Sequence, residues 1–336
     1  MKILVKYLFF GLISFSLIST VSMCKKDKGE ELIGNWLERS DFYGDSRGDA
    51  VSFSIGNNAF VGTGYDGEDR ISDFFKYDVE QNNWTQIADF PGEPRQGAVA
   101  FSADDKGYVG TGYDGLVKYN DFWKYDPVSN IWEQVADFGG EARYGAVAFS
   151  INNVGYVGTG YSGNALMDFW AYDPAGDTWE QKSNFQSKVY EAVAFTLNNK
   201  GYVCTGWNNG VYSKDFYRYD PATNVWTAMR KTANVSEESF DDNYTISRKK
   251  GAAFVIGSKA YVTLGDMGNL KKDVWEYDPG TDLWTTRTNF EGATRTDAAA
   301  FTTQNGRGFV TTGLSSSLTF DDIWEFKPND PYNEED

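Results

Sequence analysis

Six tryptophans recur along the chain at nearly constant intervals, and this period restricts the possible folds more than any other feature. They are Trp36, Trp84, Trp132, Trp179, Trp226 and Trp284. The intervals between them are 48, 48, 47, 47 and 58 residues. A second aromatic series lies upstream of the next tryptophan in each unit: Phe75, Trp123, Trp170, Tyr217, Trp275 and Trp324. Repeats of this length are typical of propeller blades that contain four strands each.

The unit that begins at Arg143 shows the pattern most clearly. Its four apolar or alternating segments are residues 146–150, 155–160, 168–173 and 178–181. Asparagine, glycine and proline separate these segments, so we expect four short strands joined by turns. The same segments recur after Arg47, Arg95, Val189, Arg248 and Arg295.

Three features of the unit resemble the Kelch repeat family. They are the glycine-rich end of the second strand, a Tyr-Asp-Pro turn as in residues 172–174, and the tryptophan about six residues after that aspartate. The usual double glycine is Thr-Gly here, as in Thr63-Gly64, Thr111-Gly112 and Thr159-Gly160. The resemblance covers residues 33–328 and implies an all-β fold, a six-bladed β-propeller of Kelch-type repeats with four antiparallel strands per blade.

The two ends of the repeat region are complementary. The last unit ends after its third strand, at residues 322–326, and has no tryptophan strand. The first tryptophan strand, around Trp36, has no blade before it. We therefore predict that this N-terminal strand completes the sixth blade and closes the ring, which removes exposed strand edges.

The N-terminal segment is typical of a secretory signal. Lys2 and Lys6 precede an apolar stretch that runs to Met23, so residues 1–23 are predicted to be a signal peptide. The sequence from Val21 to Cys24 resembles a bacterial lipobox, and this implies that Cys24 is lipidated and begins the mature protein. An ordinary cleaved signal and an uncleaved anchor remain alternatives.

The lysine-rich start of the mature chain resembles that of Bacteroidetes lipoproteins. In that group a charged tract after the cysteine can direct export to the cell surface. Residues 24–32 are therefore expected to be a lipid-anchored linker at the outer membrane, with the surface as the possible final location. Residues 329–336 are expected to be an acidic tail.

Composition excludes several classes of function. The chain has no histidine, so catalysis by Ser-His-Asp or Cys-His and zinc or copper sites with histidine ligands are excluded. A copper oxidase of the galactose oxidase type is excluded for the same reason. The net charge of −17 argues against nucleic-acid binding. No cofactor or metal is expected, since no loop has EF-hand spacing; calcium held by loop aspartates is a weaker alternative.

Five arginines precede the predicted innermost strands, and Kelch-type propellers usually bind ligands at this end. They are Arg47, Arg95, Arg143, Arg248 and Arg295, and the sixth equivalent position is Val189. A ring of guanidinium groups at the channel mouth would bind an anionic ligand. The alternative is that the arginines pair with blade carboxylates such as Asp73, Asp121 or Asp168.

Two further features are predicted to lie at the same end. The aromatic residues directly after the glycines are Tyr65, Tyr113, Tyr161 and Trp207, which would stack on a sugar or contact a protein. They could equally pack against a neighbouring loop. Residues 231–247, which carry Glu237, Glu238, Asp241 and Asp242, are an insertion expected to be either functional or disordered.

These features favour a non-catalytic envelope protein, a monomer that binds a glycan, peptide or protein, with an anionic ligand favoured if the arginines are exposed. The alternative is an enzyme that resembles N-acetylneuraminate epimerase, which would use Glu191 as acid or base beside Arg143 and Arg248. Fold alone does not decide between them.

Overall fold

The computed structural model describes residues 33–335, which form six four-stranded antiparallel sheets. From the inside outward, the strands are β2 (Val51–Ile55), β3 (Asn58–Gly62), β4 (Phe74–Asp78) and β5 (Asn83–Gln86) in blade 1; β6 (Val99–Ala103), β7 (Lys106–Gly110), β8 (Phe122–Asp126) and β9 (Ile131–Val135) in blade 2; β10 (Val147–Ile151), β11 (Val154–Gly158), β12 (Phe169–Asp173) and β13 (Thr178–Lys182) in blade 3; β14 (Val193–Leu197), β15 (Lys200–Cys204), β18 (Phe216–Asp220) and β19 (Val225–Ala228) in blade 4; β20 (Ala252–Ile256), β21 (Lys259–Thr263), β22 (Val274–Asp278) and β23 (Leu283–Arg287) in blade 5; and β24 (Ala299–Thr302), β25 (Gly308–Thr311), β26 (Ile323–Pro331) and β1 (Ile33–Glu38) in blade 6. The predicted six-bladed propeller is confirmed.

The six innermost strands stand side by side around a central channel. Each contacts the innermost strand of the next blade, and β24 contacts β2 to complete the circle. The channel has a volume of about 220 Å³ and is lined mainly by alanine and valine from all six blades. Small side chains at these positions allow six strands to approach one axis.

The N-terminal strand closes the ring as predicted. Strand β1 pairs antiparallel with β26, with Trp36 opposite Phe326. The pairing continues to Ile33 opposite Pro331. The last strand therefore extends past residue 328, which is the predicted end of the propeller. Trp36 is fully buried between the rings of Phe254, Phe290 and Phe326.

Contacts between blades explain why the second strands contain glycine. A Cβ atom at Gly107, Gly155 or Gly201 would lie 2.1–2.2 Å from a phenylalanine ring of the preceding blade. Any side chain there would push two blades apart. The tryptophans join neighbouring blades as well, since the indole Nε1 of Trp132 donates to the carbonyl of Ala88 at 2.9 Å.

Two β-strands of only two residues each, β16 (Trp207–Asn208) and β17 (Val211–Tyr212), form a hairpin between β15 and β18. The insertion contains one turn of 3-10 helix, Ser239–Asp241. Between residues 33 and 335 there is no helix long and apolar enough to cross a membrane. The predicted signal peptide, Cys24 and the linker at residues 24–32 lie outside the described residues.

Candidate functional site

One end of the propeller carries the predicted functional residues. It is formed by the loops between the second and third strands of each blade, together with the loops that lead into the next innermost strand. We call this end the loop face.

The five arginines do not form an exposed ring on the loop face, and this part of the sequence prediction is wrong. Their side chains are all fully buried: Arg47, Arg95, Arg143, Arg248 and Arg295. Each forms an ion pair with one aspartate of its own blade: Asp73, Asp121, Asp168, Asp273 and Asp322, in the same order. The alternative, in which the arginines pair with blade carboxylates, is confirmed.

Arg143 shows how such an arginine is held. Its Nη1 and Nη2 donate to the two carboxylate oxygens of Asp168, both at 2.7 Å, and its Nη1 also donates to the carbonyl of Thr159 at 2.8 Å. Its Nε donates to the carbonyl of Glu141 at 2.8 Å. Burial alone would raise the pKa of Asp168, but the hydrogen bonds and charge of Arg143 outweigh it and lower that pKa. Each arginine therefore fixes two loops of its blade and is not available to a ligand.

The mouth of the channel is framed by a closed circle of backbone hydrogen bonds, one residue from each blade. We call these residues the axial ring: Asp49, Gly97, Gly145, Glu191, Lys250 and Asp297. All six have a φ between 53° and 60°. The N–H of each donates to the carbonyl of the preceding member, and that of Asp49 donates to Asp297, over 2.7–3.2 Å. Four members are not glycine, so the left-handed conformation costs them free energy that the circle of bonds offsets.

Charged side chains occupy one side of the axial ring. The Nζ of Lys250 lies 2.9 Å from Oδ2 of Asp297 and 3.7 Å from Oε1 of Glu191. Burial raises the pKa of Glu191, and Lys250 only partly opposes this effect. Burial also raises the pKa of Asp297 well above its ordinary value, and the neighbouring Asp49 raises it further. Burial lowers the pKa of Lys250, but the surrounding carboxylates outweigh it, so Lys250 stays protonated.

Tyrosines occupy the other side, where the axial ring has glycine at positions 97 and 145. Tyr113, Tyr144, Tyr161 and Tyr190 form a continuous, partly exposed surface that we call the tyrosine arc. Successive ring centroids lie 5.3, 5.5 and 5.0 Å apart. Lys118 extends between two of the rings, with its Nζ 5.9 Å from the centroids of both Tyr113 and Tyr161.

The predicted aromatic residues therefore divide into two groups. Tyr113 and Tyr161 belong to the arc, whereas Tyr65 and Trp207 are each covered by a cation. The guanidinium of Arg70 lies 4.8 Å from the Tyr65 ring, and the Nζ of Lys249 lies 4.8 Å from the Trp207 ring. The hydroxyl groups of Tyr65 and Tyr113 donate to carbonyls of their own loops, those of Gly67 and Gly115.

The sequence prediction did not include Tyr144 and Tyr190. Each directly follows the position of the buried arginine, and the equivalent residues in the other blades are Gly48, Gln96, Lys249 and Thr296. Because this position varies from blade to blade, no repeat pattern identifies it. Glu191, which was predicted, does lie at the mouth, next to Tyr190.

The insertion at residues 231–247 packs against the propeller instead of extending from it. Tyr244 and Ile246 are buried in the core of blades 4 and 5. The predicted acidic residues differ in role: the carboxylate of Asp241 accepts hydrogen bonds from the backbone N–H groups of Val235 and Ser236, both at 3.0 Å, whereas Glu237, Glu238 and Asp242 are exposed. The expectation of a disordered loop is therefore wrong for this segment.

The part of the chain that the structure describes contains no cluster of side chains suited to bind a metal ion. No group of three or more aspartate, glutamate or cysteine side chains between residues 33 and 335 is arranged to hold an ion. Two carboxylates of the axial ring, those of Glu191 and Asp297, pair with Lys250 instead.

Comparison with known proteins agrees with this architecture. The Kelch motif matches residues 189–231, which include most of blade 4. A solved structure titled "Structure of YjhT" superposes with a TM-score of 0.70 at 17% sequence identity, covering 85% of this chain and 95% of that one. At this level of identity the likeness concerns the fold alone. No curated protein sequence matches the chain.

Proposed function

We propose that this chain, a six-bladed β-propeller of Kelch-type repeats, is a non-catalytic binding protein that recognises a glycan at the mouth of its channel. The observation that carries the proposal is that the tyrosine arc and Glu191 lie next to each other at the mouth of the channel. An aromatic surface next to a carboxylate offers a sugar both a stacking face and a hydrogen-bond acceptor.

The tyrosine arc supplies the stacking face. Tyrosine rings stack on the apolar C–H face of a sugar ring with little loss of side-chain entropy, because only two side-chain torsions become fixed. The four rings hold one another in place, so their geometry exists before a ligand arrives. Burial raises the pKa of Tyr144 to about 12, and the charge of Glu191 contributes, so the ring stays neutral at physiological pH.

Glu191 supplies the acceptor. Its Oε1 lies near Lys250, whereas its Oε2 is buried and accepts no hydrogen bond within residues 33–335. Leaving a buried acceptor without a donor costs about 1–3 kcal/mol, and more when it is charged. If the Glu191 side chain turns so that Oε2 faces the mouth, a sugar hydroxyl that donates to it would remove that cost.

The positions of Glu191, Arg143 and Arg248 do not support the alternative of an epimerase-type enzyme. It requires Arg143 and Arg248 beside Glu191 as substrate-binding groups. Both arginines are fully buried and bound to Asp168 and Asp273, so neither can contact a substrate. Glu191 is instead paired with Lys250.

We propose the bacterial envelope as the location, with Cys24 as the lipid attachment point. Cells grown with a clickable palmitate analogue are expected to label the wild-type protein, whereas Cys24→Ser is expected to lose the label and leave the membrane fraction. Cys204→Ser, which removes a buried cysteine, is the matched control and should keep the label. An unlabelled wild-type protein would disprove the anchor.

The binding function is tested with a glycan array. The mature protein carrying Cys24→Ser is applied to the array, and the strongest sugar is then titrated by calorimetry. The double variant Tyr144→Ala, Tyr161→Ala is expected to bind at least about tenfold more weakly, because truncating a central aromatic contact costs more than about 1 kcal/mol.

Tyr43→Ala provides the matched control for this titration. Tyr43 is 75% exposed and lies outside the tyrosine arc, so its loss should leave the affinity unchanged. Full affinity in the folded double variant would reject the mouth as the binding site. An array without any bound sugar would reject the glycan as the ligand.

A further inference from the structure

A second cavity lies on the loop face beside blade 4, and its lining includes no residue of the tyrosine arc or the axial ring. We call it the blade 4 cleft, and its volume is about 750 Å³. This volume lies within the range of about 300–1,000 Å³ that is usual for small-molecule sites. Its lining includes Lys188, Val189, Val211, Lys214, Asp215, Lys231 and Val235.

The cleft occurs in the one blade that lacks the buried arginine. Val189 occupies that position and is itself buried, but its side chain is too short to reach the aspartate of the blade, Asp215. In the other five blades the guanidinium fills the corresponding space and bonds to the aspartate. The substitution of valine thus leaves Asp215 without the partner that the aspartates of the other five blades have.

Asp215 has acquired other partners in place of the arginine. It accepts hydrogen bonds from the hydroxyl of Ser187 and from the Nζ of Lys231, the first residue of the insertion. Burial alone would raise the pKa of Asp215, but the bonds from Lys231 and Ser187 lower it. The aspartate is therefore ionised and already neutralised by one lysine.

The cleft has an excess of positive charge although the protein as a whole is acidic. Lys188 and Lys214 are exposed at its wall, and neither forms an ion pair with any carboxylate of residues 33–335. With Lys231 paired to Asp215, two ammonium groups remain unmatched in a chain of net charge −17. A local positive field in such a protein favours the entry of an anion.

Part of the remaining wall is apolar. Val189, Val211 and Val235 contribute branched aliphatic side chains, and Val211 and Val235 are 64% and 48% exposed. Val235 belongs to the insertion, whose loop is fixed by the hydrogen bonds of Asp241. Exposed apolar groups beside cations suit a molecule that has an apolar body and an anionic group.

We propose that the blade 4 cleft is a second binding site, one for an organic anion with an apolar body. The anionic group lies between Lys188 and Lys214, and the apolar part rests on the valines. This site is independent of the proposed glycan site, since the two share no residue.

The test uses 8-anilinonaphthalene-1-sulfonate, which carries one sulfonate, and its uncharged relative N-phenyl-1-naphthylamine. The variant Val211→Asp places a carboxylate in the apolar wall of the cleft, at a side chain that is 64% exposed, so it is expected to repel the sulfonate and weaken its binding at least about tenfold in a fluorescence titration. Thermal melting is expected to show that the variant is folded. The double variant Tyr144→Ala, Tyr161→Ala should retain the affinity for the sulfonate.

A second variant tests the two lysines directly and keeps the proposal testable if Val211→Asp does not fold. Lys188→Gln, Lys214→Gln is expected to weaken sulfonate binding by about five- to tenfold and to leave binding of the uncharged probe unchanged. The double variant Lys106→Gln, Lys124→Gln, at two ion pairs of blade 2, is the charge-matched control. Unchanged sulfonate affinity in the lysine variant, or in a folded Val211→Asp protein, would overturn the proposal.

Discussion

A protein that lacks residues 33–40 is expected to show no cooperative thermal unfolding, because the deletion removes the strand that closes the ring. Without β1, the outer edge of β26 loses its backbone partner and the cavity between Phe254, Phe290 and Phe326 loses Trp36. Truncating one buried tryptophan costs about 3–5 kcal/mol by itself, a large part of the stability of an ordinary domain. Circular dichroism during heating measures the result.

The matched control for this deletion is a truncation of residues 334–336 at the other end of the chain. It leaves β1 and β26 intact, so its melting curve should be that of the parent. If the protein without residues 33–40 melted at the temperature of the parent, the ring closure described above would be wrong.

Glu325→Gln is expected to destabilise the propeller by about 3–5 kcal/mol, because it breaks a buried group of opposite charges. The side chain of Glu325 is fully buried and accepts bonds from Arg39, Arg307 and Lys327. Two of these bonds, from Nε and Nη2 of Arg307, measure 2.7 Å. The substitution leaves three cations without their common carboxylate. Denaturant unfolding measures the resulting decrease in the free energy of unfolding.

The same group predicts how stability depends on pH. Burial alone would raise the pKa of Glu325, but the bonds from Arg307, Lys327 and Arg39 outweigh it and lower the pKa from 4.5 to about 2. A carboxylate whose pKa is lowered by folding stabilises the folded state fully when the pH is above its pKa in the unfolded chain. This contribution is lost as the pH falls from that value to the pKa in the folded protein. The contribution of Glu325 should therefore disappear between pH 4.5 and about 2.

Glu325→Gln is expected to lack this part of the pH dependence, since glutamine does not titrate. Glu133→Gln serves as the control, because Glu133 is 63% exposed in its pair with Lys124 and such pairs contribute only about 0–1 kcal/mol. Equal stability losses in the two variants would show that the buried group does not hold the closure together.

The fold was predictable because a propeller repeats its packing with its sequence. Each tryptophan strand needs the same neighbours in every blade, so the period of residues such as Trp84 and Trp132 reports the blade number directly. The incomplete last unit then required a partner, and Trp36 was the only tryptophan strand without a blade. Both inferences rest on local pattern and on the need to pair every strand edge.

The exposure of the arginines was not predictable in the same way. Their spacing placed them correctly before the innermost strands, but spacing does not reveal depth. Arg143 and Asp168 are 25 residues apart in the chain and meet only after the blade has folded. Sequence alone therefore left the exposed and the paired alternatives open, and the structure favours the paired one.

The most informative positions for binding are those that depart from the repeat. Tyr144 and Tyr190 lie where the other blades have unrelated residues, and Val189 replaces an arginine. The valine was visible as a break in the pattern. The cavity that Val189 lines was not, because a cavity depends on which side chains the fold brings around it.

A crystal structure of the mature protein, soaked with the sugar that gives the strongest array signal, decides whether the channel mouth is the binding site. The sugar ring is predicted to lie against Tyr144 and Tyr161, with one hydroxyl donating to Glu191. A sugar bound only on the outer strands, or only at the end of the propeller opposite the loop face, would contradict the proposed function.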